Sequence, residues 1–99
     1  MSPLISRFPE GWELRHAPAY ESSRSARWLP VVLTNHDLPR AWGTLRTFRL
    51  SWNVVENRFA GSKYSERLQT EWPKLYERVG LFMELHGLEI AEHRARLLA

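Results

Sequence analysis

The feature that most constrains this chain is an apolar series at three- and four-residue spacing in its C-terminal half. Trp72, Leu75, Tyr76, Val79, Phe82, Met83 and His86 follow that spacing without a gap. Side chains three and four apart stack on one face of a helix, so the series predicts a core-facing helix from a Thr70 cap through His86. Pro73 is compatible with its first turn. Leu81 and Leu85, one turn apart, fall outside this face and define a second stripe that also needs cover. Gly87 suits a helix C-terminus, so the helix is expected to turn or break there. Residues 88–98 then read as a final helix with Ile90 and Leu97 pointing the same way. Ser62 reads as the cap of a short helix containing Tyr64 and Leu68.

Residues 39–60 admit two periods. On a helix, Leu45, Phe48, Trp52, Val55 and Phe59 share a stripe, with Trp42 at its margin and Gly61 as a stop. On a strand, Phe48, Leu50, Trp52 and Val54 alternate against Arg49, Ser51 and Asn53. The helical stripe persists further and is the favoured reading, although it leaves Leu50 and Val54 on the wrong face. Asn35-His36-Asp37 reads as a turn before that helix, with Asp37 as its cap and Pro39 in its first turn.

The N-terminal part offers shorter signals. Trp28 to Thr34 is the strongest extended segment, and Pro30 within it suggests an edge strand or an arm crossing the helices. Trp12 to His16 alternates as a short strand would. Pro3, Pro9 and Gly11 make residues 1–11 an irregular lead-in, and the polar residues 21–27 a mobile loop. The resulting expectation is a mainly α fold, a small helical domain with an extended N-terminal arm and at most a short strand pair. With 99 residues, the chain suits a single domain with one core.

Composition narrows the chemistry. The chain has no cysteine and one aspartate, which removes disulfides, thiolate nucleophiles and cysteine metal sites. The N-terminus lacks a signal-peptide run, and no apolar stretch is long enough for a membrane span, so cytoplasmic residence without membrane contact is the expectation. Glu89 and His93 have the four-residue spacing of two helical ligands, and His86 precedes them. The set lacks a metalloprotease pattern and reads as a solvated face. His36 and Asp37 invite an acid–base reading, but turn capping explains them with fewer assumptions. Ser22, Ser23 and Ser25 lack a base and an oxyanion pocket, and no glycine-rich phosphate loop is present. No catalytic, cofactor-binding or metal site is therefore assigned, and no cofactor is expected.

Charge and aromatic content leave two binding readings. Residues 1–60 hold eight Lys/Arg against five Asp/Glu, while residues 61–99 hold six of each. Arg24, Arg27, Arg40, Arg46, Arg49 and Arg58 could contact phosphates, with Trp28, Trp42 and Trp52 as stacking surfaces. A two-faced helix points more directly to protein contact, with Leu81, Leu85, Trp72, Tyr76 and Phe82 as candidate interface residues. The leading expectation is a non-enzymatic interaction or accessory-subunit protein, with a protein partner or self-association. The alternative is a small nucleic-acid-binding protein using the arginines between 24 and 58.

Overall fold

The computed structural model describes residues 3–18, 27–41 and 46–98. These residues form strands β1 (Leu4–Phe8), β2 (Trp12–His16), β3 (Trp28–Asn35), β4 (Thr47–Asn53) and β5 (Arg58–Phe59), then helices α1 (Lys63–Glu71) and α2 (Pro73–Leu98). The strands make one sheet in the order β1-β2-β3-β4-β5, and every neighbouring pair is antiparallel. The fold is thus a mixed α/β layer pair, which overturns the expected mainly α domain with a short strand pair.

The sheet's inner face explains the correction. Trp12, Leu14 and His16 of β2, Leu29, Val31 and Leu33 of β3, and Phe48, Leu50 and Trp52 of β4 are all buried. Successive strand side chains point to opposite faces, so this period-two burial places one apolar face against the helices. Leu33 opposes Phe48, Val31 opposes Leu50, and Leu29 opposes Trp52. The expected helix over 39–60 could not bury Leu50, whereas pairing with β3 buries Phe48, Leu50 and Trp52 together. Val55, which that helix would have placed in its stripe, is exposed at the β4–β5 turn. Asn53 holds this turn, accepting from the Val55 and Glu56 amides at 3.0 and 2.9 Å. Leu45 and Trp42 lie outside the described residues.

Pro30 sits on a central strand rather than an edge. β2 pairs with β3 only as far as His16 and Val31. Beyond that point the Ala17 amide donates to the Pro30 carbonyl at 3.2 Å. A regular antiparallel pair of this kind exchanges two hydrogen bonds, but proline has no N–H to return. Arg94 of α2 takes the vacant role, donating through Nη1 to the Ala17 carbonyl at 2.7 Å and through Nη2 to the Pro18 carbonyl at 3.2 Å.

Asn35 ends β3 and stitches two connections together. Its side chain accepts from the Asp37 amide at 2.9 Å and donates to the Glu10 carbonyl at 3.0 Å. Asp37 therefore belongs to the β3–β4 connection, where its amide is held by Asn35. Within residues 1–11, Leu4–Phe8 is β1 and Pro9–Gly11 a single 3-10 turn. Gly11 there has φ +89°, and Asp37 and Asn35 leave no room for a Cβ. Residues 21–26 of the expected loop lie outside the described residues, and Arg27 falls in the turn that opens β3.

Ser62 caps α1 as its sequence suggests, within a reciprocal box with Ser65. Thr70 is inside α1 rather than a cap, and Trp72 closes that helix through its amide to the Leu68 carbonyl at 2.8 Å. Pro73 then opens α2, which continues unbroken through Gly87 to Leu98. The expected break at Gly87 is absent because the glycine admits the Trp52 indole. A Cβ there would lie 2.9 Å from Trp52 Nε1. Across the inner face, α2 meets Phe59 through Tyr76, Phe8 through Phe82 and His16 through His93, with ring centroids 5.7, 5.5 and 5.9 Å apart.

Candidate interaction surface

α2 has two opposed faces. Val79, Met83, Ile90 and Arg94 are buried toward the sheet. At about 100° per residue, Leu81, Leu85 and Leu88 project to the opposite side of the helix. They are 55, 79 and 66 % exposed. Isolated surface leucines are ordinary, but three at four- and three-residue spacing make a continuous apolar ridge. Leu81 and Leu85 were legible as a second stripe. Leu88 was missed because a helix ending at Gly87 would have moved it to another element.

The other three expected interface residues sit elsewhere on the helices. Tyr76 and Phe82 are half-buried and pack on Phe59 and Phe8. Trp72 meets Trp12 edge-on at 5.2 Å between centroids. Its ring lines a cleft of about 350 Å³ with Pro9, Trp12, Pro73 and Leu75. These three side chains therefore join the helices to the sheet, while the two leucines face outward.

The candidate phosphate-binding arginines are spread across the sheet. Arg27 precedes β3 and Arg58 begins β5, at the end of the sheet where Trp28 opposes Asn53 and Asn53 opposes Arg58. Arg40 and Arg46 lie at the opposite end, in the β3–β4 connection. Arg46 donates to the Leu38 carbonyl at 3.3 Å, and Arg58 pairs with Glu56 at 3.0 Å. Arg49 is exposed on β4, on the face turned away from the helices. Arg24 lies outside the described residues. The described arginines do not gather into one patch.

A second cleft, of about 240 Å³, opens between β1, β2 and α2. His16, His86, Glu89 and His93 line it together with Leu4, Ile5, Phe82 and Ile90. The unbroken helix brings His86, Glu89 and His93 to one side, where His86 Nδ1 lies 3.8 Å from Glu89. His16 joins them from the sheet, a meeting that no local sequence spacing announces. Its Nδ1 is buried without a partner, and burial, then Arg94 and His93, lower its pKa to about 4. Among the described residues, no group of three or more His, Asp or Glu is placed to hold a metal ion.

On the outer face of the sheet, Arg15 donates to Glu13 at 2.7 Å. That bond holds the Glu13 carboxyl below its ordinary pKa against a smaller opposing effect of burial. Among the described residues, no helix is long and apolar enough to cross a membrane. No family model matches the chain, and neither a curated protein nor a solved structure shows significant similarity to it.

Proposed function

We propose that this chain is a non-enzymatic protein-interaction or accessory-subunit module whose contact surface is the outer face of α2. The observation that carries the reading is the exposed Leu81–Leu85–Leu88 ridge on a helix whose opposite face is already committed to the sheet. Burying apolar surface supplies the favourable part of the contact free energy, offset by the cost of association, and charged residues around it restrict which partners fit. Lys74, Arg78, Glu84, Glu89 and Glu92 supply that exposed charge.

The reading is tested by purifying the chain from its source cells, treating it with nuclease and separating it by size. The expected result is a species larger than the 11.7 kDa monomer that contains protein in fixed stoichiometry and survives nuclease. Leu85→Lys should return the chain to monomer size with its unfolding midpoint unchanged. Identical elution of parent and Leu85→Lys would overturn the reading. So would a large species that collapses to monomer when nucleic acid is digested.

A further inference from the structure

The outer face of α2 starts with bases and, apart from Arg96 at the helix end, finishes with acids. Lys74 and Arg78 precede the leucine ridge, and Glu89 and Glu92 follow it. At 100° per residue these four charges and three leucines fall within an arc of about 100°, so they present to a single neighbour. All seven are exposed.

We infer that the neighbour is a second copy of this chain, its α2 packed antiparallel on α2 about a two-fold axis near Leu85. This rests on the proposed role of the ridge and names its partner. In a two-fold contact, whatever residue i meets, that residue meets i in return. With the axis at Leu85, that leucine meets its own copy. Leu81 of each chain then lies beside Leu88 of the other, and Arg78 comes level with Glu92. Lys74 lies about one turn from the opposing Glu92, and Arg78 within one turn of the opposing Glu89.

Parallel pairing would do the reverse, setting Lys74 and Arg78 beside their own copies and Glu89 and Glu92 beside theirs. Rim charges of this kind contribute little attraction but discriminate firmly against like-charge registers. Arg96 is the one base that antiparallel pairing brings level with another, Lys74. It sits at the helix end one turn from Glu92 of its own chain, which offsets the repulsion. Three leucines cover less than the roughly 800 Å² per partner of a standard interface, so the fraction of paired chains rises with protein concentration.

The absence of cysteine makes the geometry directly testable. Single Leu85→Cys and Arg78→Cys variants of the full chain are oxidised under mild conditions and scored for disulfide-linked dimer. In the antiparallel pair, the Cys introduced at 85 meets itself, whereas those at 78 are about 21 Å apart along the axis. Leu85→Cys is expected to link at least tenfold faster than Arg78→Cys. A mixture of Arg78→Cys and Glu92→Cys should link across chains. Equal linking at 78 and 85 would overturn the antiparallel arrangement.

Sedimentation of the unmodified chain supplies the second readout. A reversible monomer–dimer equilibrium is expected, weakened about tenfold by Arg78→Glu and restored to within about threefold by adding Glu92→Arg. A chain that stays monomeric at several hundred micromolar would overturn self-pairing. It would leave the broader reading standing if Leu85-dependent association persisted in the source-cell preparation. Loss of both would remove the reading itself.

Discussion

Arg94 donates to the Ala17 carbonyl at 2.7 Å, at the position where Pro30 opposite has no N–H to offer. A proline in a central strand is tolerated here because a side chain from α2 completes the broken ladder. The bond also ties the exit of β2 to the last turns of the helix. Replacing Arg94 by Met should leave the carbonyl unsatisfied and cost about 2–3 kcal/mol in urea unfolding. Introducing Pro30→Ala alongside Arg94→Met restores a backbone donor. A double-mutant cycle should then show coupling of at least about 0.5 kcal/mol between the two sites. Strict additivity would show that Arg94 stabilises the fold by some other route.

Two glycines of α2 make a matched pair. Gly80 has open space where a Cβ would go, while a Cβ at Gly87 would press on the Trp52 indole at 2.9 Å. Gly80→Ala should therefore gain about 0.5–1 kcal/mol from helix propensity. Gly87→Ala draws on the same propensity but forces Trp52 to move within a packed core, with a net loss of about 1–2 kcal/mol. Unfolding midpoints of the two variants should shift in opposite directions.

His16 makes stability depend on pH in a defined window. Its pKa falls from an ordinary 6.5 to about 4 in the folded chain, because burial, Arg94 and His93 all oppose the charged form. The unfolded state therefore binds a proton more readily between these values. Stability from this group is full above pH 6.5, declines as pH falls toward 4, and stays flat below. The total loss is up to roughly 3 kcal/mol. Subtracting the pH profile of His16→Gln from that of the parent isolates the effect from nearby His86, Glu89 and His93. A difference curve without slope between pH 6.5 and 4 would contradict it.

What was legible in the sequence depended on how local the deciding interaction is. The face of Val79 and Met83 and the Ser62 cap rest on neighbours within a few residues, and they appear as read. The strand β4 was equally visible as the alternation of Phe48, Leu50 and Trp52. The competing helical stripe lost because β3, a separate segment, offered partners for all three. Gly87 carries a genuine local preference for a helix end, overridden by Trp52 from the sheet. The cleft joining His16 to His93 and the pairing of Arg94 with Ala17 have no sequence spacing at all. Leu81 and Leu85 were separable from the core face because one helix decides both.

The outer ridge makes one more claim: its leucines contribute contact rather than folding. Leu85 is 79 % exposed, so Leu85→Lys should change unfolding free energy by no more than about 0.5 kcal/mol. A loss of several kcal/mol would show that the ridge is buried within the fold of the chain itself.

Site-specific photocrosslinking in the source cells tests the ridge most directly. A photoreactive side chain is placed at Leu85 and, as a control, at Glu66, which is exposed on α1. A discrete protein adduct is expected from position 85 and none of comparable yield from position 66. The adduct should have the mass of two copies if α2 pairs with itself. Equal, diffuse labelling from both positions, or labelling of nucleic acid from position 85, would overturn the outer face of α2 as the contact surface.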